Sequence, residues 1–252
     1  MKGMDHREPS LELDALSWVE AAAHLARDPR LIVPVGTIEQ HGAHLPLGTN
    51  LLIARRIAID LSEQFGVLRA PTLSYGVNVK TEQSYSGTAS FQKKTLHRAV
   101  NDLLAGWEAS GVNEFIFITA HRYEPHLEAL ATLVPTRASA RVRLVEIWDA
   151  EIGDLLEAQP GPLHADEAET SLMLYLYPEL VRMDRARDFE LSPKEYRRYL
   201  RGRLTLPPGS TGVIGRPTAA TAAKGERIYH RIMNLIRSAI FVTTGGLESD
   251  SL

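Results

Sequence analysis

Between residues 32 and 50 the chain reads IVPVGTIEQHGAHLPLGTN, which places a carboxylate and two imidazoles, Glu39, His41 and His44, close together. In an extended segment Glu39 and His41 project to the same side. A second group follows in AHRYEPH, with His121, Tyr123, Glu124 and His126, and a third, HADEAETS, carries His164, Asp166, Glu167 and Glu169. One carboxylate, two imidazoles and a further oxygen donor make the donor set of a Zn- or Mn-type site that keeps a position open for water. The chain has no cysteine, so disulfides and thiolate sites are excluded and any metal must be held by N and O ligands. That suits Zn, Mn, Fe or Mg. Taken singly, a histidine beside a strand reads as a polar group that finds a hydrogen-bond partner. The signal lies in the joint placement of several.

That placement depends on the elements around them. Four β-rich runs, LIVPVG (31–36), VLRAP (67–71), EFIFITA (114–120) and RVRLVEIWD (141–149), alternate with helical patterns. In QKKTLHRAVNDLLAGWEASG the residues Leu96, Val100, Leu103, Leu104 and Trp107 recur at three- and four-residue steps, and Gly111 is a C-terminal stop. Such alternation predicts an α/β fold with a mostly parallel central sheet covered on both faces. In open parallel sheets, ligands bind beyond the carboxyl ends of the strands. GTIEQHGAH follows the first strand, AHRYEPH the third, and WDAE ends the fourth, while HADEAETS opens the next helix. The charged segment 184–203 reads as a solvated or subunit-contacting face, 206–217 as an ordered loop, and 218–240 as a last helix; the polar ends, 1–10 and 245–252, are expected to be loosely held.

At 252 residues with no shift in composition, a single domain over 1–252 is expected. A net charge of −3 provides no electrostatic reason for a nucleic-acid or anionic-membrane partner. The N-terminus lacks an apolar signal-peptide core and no segment approaches a membrane span, so a cytoplasmic location is expected.

The segments VPVGTIEQHGAHLPLGTN, YSGT, HADEAETSLMLYLYPELV and GVIGRPTAATAAKGE resemble, in order and spacing, the signature segments of the creatininase (creatinine amidohydrolase) family, over about residues 31–230. The resemblance implies a three-layer α/β/α sandwich, a dinuclear metal centre, hydrolysis of C–N bonds of cyclic or linear amides other than peptide bonds, and a homo-oligomer, a hexamer in several members. It places metal ligands on Glu39, His41 and His121, a catalytic histidine on His164, a functional glutamate on Glu169 and a substrate-side tryptophan on Trp148, with Tyr123 and Asp166 as further substrate-side candidates. The family's bridging aspartate falls on Asn50, and the ligand glutamate found two residues after the histidine of creatininase is Tyr123 here, with Glu124 one residue later. Asp166 stands where the family often has glycine.

The expectation is therefore a metal-dependent amidohydrolase acting on a small molecule, with one or two divalent ions (Zn, Mn or Fe) per subunit. An asparagine carboxamide carries no charge and only one good acceptor oxygen. One tightly held ion is expected, with the second weak unless Glu124, Asp166, Glu167 or Glu169 substitutes. The absence of the GHYEN turn of creatininase argues against creatinine itself as the substrate. The rewritten turn and Asn50 keep open a binding or scaffold protein with a decayed centre, and fold resemblance also leaves room for a hydrolase or isomerase acting on a non-amide ring. His44 reads as a structural hydrogen-bonder, Glu169 as a helix cap or a catalytic group, and Gly212 and Gly215 as loop formers.

Overall fold

The computed structural model describes residues 10–241, so the two polar tails beyond them lie outside the described residues. The chain divides into two compact units: 10–40, 47–146 and 198–205 form the first, and 41–46, 147–197 and 206–241 the second.

In the first unit, strands β1 (Arg30–Val35), β2 (Leu68–Arg69), β3 (Glu114–Thr119) and β4 (Arg141–Glu146) form one sheet in the order β2-β1-β3-β4. All the pairings are parallel, with Leu31 opposite Leu68 and Phe115, and Phe115 opposite Val142. The two inner strands are aliphatic and aromatic and buried on both faces after their first residue, as a covered parallel sheet requires. The expected strand runs overlap all four; the fourth stops at Glu146, and Ile147–Asp149 turn into a short 3-10 helix.

Alternation along the strands sorts the side chains into two layers. Leu31, Val33, Val35, Phe115 and Phe117 pack with Leu25 of helix α1 (Trp18–Leu25), Leu96, Val100 and Leu104 of α3 (Lys93–Ala109), and Ala129 and Leu130 of α4 (Glu124–Ala131). Helix α2 (Thr49–Phe65) packs against β1 and β3, lining up with Ile32, Ile116 and Ile118, which are fully buried. A three-layer α/β/α arrangement results. The glycine that ends VPVG has a packing reason: a Cβ on Gly36 would lie 2.4 Å from Cα of Leu51, so α2 passes directly over the end of β1.

The second unit is built on α5 (Glu167–Leu176) and α7 (Ala222–Ile236), which pack together. A Cβ on Gly225 would meet the Ser171 carbonyl oxygen at 1.9 Å, so only glycine permits this helix contact. Ile228, Ile232 and Ile236, four residues apart, bury one face of α7. The expected loop at 206–217 is ordered by antiparallel bridges, His164 with Ile214 and Phe189 with Gly215. Most of 184–203 is exposed, helix α6 (Pro193–Leu200) included, although Ala186 and Tyr199 are buried. Among the described residues no helix is long and apolar enough to cross a membrane.

One buried ion pair ties α5 to α7. Lys224 Nζ reaches Glu167 Oε1 at 2.6 Å, the Ala219 carbonyl oxygen at 2.7 Å and Glu157 Oε1 at 3.0 Å. Glu167 is fully buried and also accepts the backbone N–H groups of Glu157 and Ala158, whereas the Glu157 side chain is 75% exposed. Lys224→Ala strands the buried carboxylate and should lower unfolding stability by about 3 kcal/mol; Glu157→Gln, at the wet end, should cost less than ~1 kcal/mol. Urea denaturation of both variants tests this, and equal losses would contradict it.

Candidate functional site

The turn after β1 buries Glu39 completely, and the turn after β3 buries His121. Glu39 Oε1 lies 2.9 Å from His121 Nδ1. The other ring nitrogen, Nε2, is 2.9 Å from the Val77 carbonyl oxygen, an acceptor, so Nε2 carries a proton. In the neutral ring Nδ1 is then a lone pair facing a carboxylate oxygen, and two acceptors at that distance call for a hydrogen-bond donor or a cation between them. A proton serves when nothing else is bound. Burial pulls the His121 ring towards neutrality, but the charge of Glu39 and its hydrogen bond outweigh that, with the Val77 carbonyl and the Glu82 charge adding, and its pKa is raised.

Asn50, at the start of α2, completes this cluster. Its Nδ2 lies 2.7 Å from Glu39 Oε1, 3.1 Å from Thr37 Oγ1 and 3.1 Å from His121 Nδ1. Its Oδ1 is buried and accepts no hydrogen bond. The carboxylate and the imidazole lone pair suit a divalent cation with N and O ligands, whereas Asn50 turns its Nδ2 donor, not Oδ1, towards them. His126, on α4, plays a different part: its Nδ1 accepts from the Val77 N–H at 3.3 Å and its Nε2 meets Thr119 Oγ1 at 3.1 Å. Burial, and then the neighbouring His121, drive its pKa well down, so it is a neutral structural ring.

The second unit carries His41, His44, His164 and Glu169. His164 is fixed by reciprocal backbone hydrogen bonds with Ile214, at 3.1 and 2.9 Å. Its ring lies 4.8 Å from that of His41, centroid to centroid, and His41 Nε2 is 3.8 Å from Glu169 Oε1. Between His164 and the helix, Ala165 has a φ of +50°, a left-handed conformation unusual outside glycine. It is held there by its N–H, which donates to Glu169 Oε2 at 2.6 Å. Glu169 thus both closes the start of α5 and approaches His41.

Several expected site residues fall elsewhere. Glu124 is exposed in the first turn of α4, where a carboxylate suits the helix N-terminus, and it does not join the Glu39–His121 cluster. Asp166 is fully buried as the N-cap of α5, accepting from Ala168 N, Glu169 N and Leu163 N at 2.9, 3.0 and 2.5 Å and from the Gln159 amide, so its oxygens are occupied by the protein rather than a substrate. Glu167 is held by Lys224 and is no substitute acid. Trp148 is buried at 4% exposure; Tyr123 is half-buried, its ring centroid 6.0 Å from that of His121, and burial followed by the charges of Glu82 and Glu124 raises its hydroxyl pKa. Gly212 and Gly215 sit at φ of +91° and +126° as loop formers. The residue that sequence reading overlooked is Glu82: it lies just before the YSGT segment, is 1% exposed, and takes the Gln40 side-chain amide at 2.7 Å on Oε1.

The family model described as creatinine amidohydrolase matches residues 14–240. The chain belongs to the creatininase family. A mycofactocin precursor peptide peptidase of Mycolicibacterium smegmatis is 33% identical over 220 residues, 82% of each chain. The creatinine amidohydrolase of Pseudomonas putida is 27% identical over 255 residues, covering 92% of this chain and 96% of that one. A solved manganese form of creatininase superposes with a TM-score of 0.75 at 24% identity, over 91% of this chain and 98% of the other, which shows the shared fold. Membership of the creatininase family and these relatives support a metal-dependent hydrolase of amide or peptide bonds.

His44, within the creatininase signature segment, is a structural group. Its Nε2 meets Thr170 Oγ1 at 2.9 Å, and burial, then the charge of His164, lower its pKa from 6.5 to about 4. A base whose folded pKa is depressed adds full stability above its unfolded value and loses it as pH falls. The contribution of His44 should therefore decline between pH 6.5 and about 4. An NMR titration of the His44 ring checks this; a midpoint near 6.5 would show that the burial is not felt.

Proposed function

We propose that the protein is a metal-dependent amidohydrolase that cleaves the C–N bond of a small cyclic or linear amide, with Glu39, His41 and His121 holding a divalent ion, Zn, Mn or Fe. The observation that carries this reading is the buried pair of Glu39 Oε1 and His121 Nδ1, 2.9 Å apart, with Nε2 of the same ring committed to a carbonyl. With a proton on Nδ1 the pair is an imidazolium–carboxylate ion pair, and a divalent ion would take that proton's place. The donor set is the same kind that the family resemblance assigns, and Asn50 contributes at most a neutral oxygen to it. One firmly held ion per subunit is the proposal, with a second weak.

A divalent ion in such a site supplies a Lewis acid for the carbonyl oxygen and lowers the pKa of a water molecule. His164, anchored through its backbone to Ile214, takes a proton from the attacking water and delivers it to the leaving nitrogen, which cannot depart as an anion. Glu169 orients His41 from the start of α5 and holds Ala165 in the conformation that precedes the helix. Trp148 and Tyr123 are the proposed substrate-side aromatics. The name of the 33%-identical relative extends the candidate bonds to peptide bonds, so a screen should hold short peptides beside lactams, formamides and cyclic amides. The assembly is proposed to be a homo-oligomer, and 184–203 a contact face.

His164→Ala should keep metal content and unfolding midpoint near wild type while kcat falls by roughly 10²-fold or more on a substrate found by the screen. Unchanged turnover would remove His164 from the mechanism, and wild type purified without chelator that contains no metal would favour a scaffold protein instead. For the assembly, light scattering at micromolar concentration should yield a multiple of the single-chain mass; the mass of one chain would contradict it.

A further inference from the structure

A cavity of about 280 Å³ in the first unit lies against the first turns of α2 and plays no part in the mechanism above. Its walls follow from the pairing of the chain. The Leu11 carbonyl oxygen accepts the Arg69 N–H at 2.8 Å, which sets residues 11–14 beside β2. Leu73 bridges to Val35, so Thr72 and Ser74, two apart in an extended segment, project to one side, and both line the cavity. Leu51, Leu52 and Arg55 supply the helical wall.

Arg69 sets what the cavity can hold. It is buried, at 7% exposure, yet only part of its guanidinium is used: Nη2 donates to Glu12 Oε1, while the buried Nε has no acceptor. Among the described residues Nη1 makes no hydrogen bond either. Buried donors need acceptors, and Glu12 alone is too few for this fork. Arg55 brings a second guanidinium, exposed and without a hydrogen bond among the described residues. Negative charge is present as well. Glu12 is ionised, the hydrogen bond and charge of Arg69 holding its pKa down with Arg55 adding, and Asp14 is exposed in the 3-10 turn that follows. A plain anion would meet these two carboxylates and a plain cation the two guanidiniums, whereas a zwitterion matches both signs. Leu51, Leu52 and Pro71 offer the apolar remainder of the lining.

We propose that this cavity binds a free α-amino acid with an aliphatic side chain. Its carboxylate takes the unused donors of Arg69 and Arg55 with the Thr72 and Ser74 hydroxyls beside them, its ammonium goes to Glu12 and Asp14, and its side chain rests on Leu51, Leu52 and Pro71. The inference stands apart from the metal-site reading, although the walls lead towards that site: Leu51 follows Asn50, and Ser74 lies three residues before Val77, whose carbonyl holds His121.

Calorimetric titration of the full chain tests this with three probes: L-leucine, isocaproate, which lacks the ammonium, and isoamylamine, which lacks the carboxylate. L-leucine should bind saturably and about 10-fold or more tighter than either analogue, the scale of one charge-assisted hydrogen bond. Arg55→Gln should weaken L-leucine by about 10-fold and leave isoamylamine as in wild type; Asp14→Asn should weaken L-leucine to a similar degree and spare isocaproate. Both side chains are exposed, so unfolding midpoints should stay near wild type. Arg98→Gln, an exposed arginine of α3 outside this cavity, should bind L-leucine as wild type does. No saturable L-leucine binding at millimolar concentration overturns the inference. So does isocaproate binding as tightly as L-leucine, which would make the cavity a simple anion site, and so does an L-leucine affinity unchanged in both Arg55→Gln and Asp14→Asn, which would put the ligand elsewhere.

Discussion

Two acceptors pressed together out of water set the terms for the first unit. Glu39 Oε1 and His121 Nδ1 stand 2.9 Å apart, and each arrives at the end of a different parallel strand. Such a pair is repulsive unless a hydrogen-bond donor or a positive charge bridges it. The sheet exists in a form that enforces the encounter: β1 and β3 are adjacent and in register, so their carboxyl ends deliver the two side chains to one edge. Around them the protein has arranged support rather than relief. Val77 fixes the tautomer, Thr37 and Asn50 hold the carboxylate side, and His126 is kept neutral beneath, its ring centroid 5.0 Å from that of His121.

The head of α5 shows how one short run of acids is divided among tasks. Asp166, Glu167 and Glu169 lie within four residues, and sequence alone cannot tell them apart. In the fold, Asp166 satisfies the N–H groups of the first turn, Glu167 meets Lys224 from α7, and Glu169 turns back to Ala165 and towards His41. Only the helical period separates these directions. The departure from glycine at position 166 is thereby explained, since its carboxylate takes over the cap.

Much of the framework is legible in the sequence. The strands β1 and β3 announce themselves through unbroken apolar runs, α3 through its three- and four-residue spacing, and the ligand candidates through their place just beyond strands. Family resemblance adds the pairing of those candidates with a chemistry. Glu124 and Glu82 mark where this stops. Glu124 is one residue removed from a ligand position, and between the two the chain passes from the extended N-cap Tyr123 into the first turn of α4, where the Glu124 side chain is exposed. Glu82 sits in an irregular turn with no periodicity to read, and its partners, Gln40 and Tyr199, are far away along the chain. Its one local clue is that it precedes YSGT, part of the signature that carried the resemblance.

The commitment of His121 Nε2 to the Val77 carbonyl has a chemical corollary. With that nitrogen occupied, Nδ1 is the single seat in the ring for either a proton or an ion, and Glu39 welcomes both. If the proposed ion takes that seat, its loading is an exchange reaction that would expel a proton into the medium. A weakly buffered solution of the apoprotein would turn acid as metal is added, and the apparent affinity would rise with pH by up to tenfold per unit until the ring has already surrendered its proton.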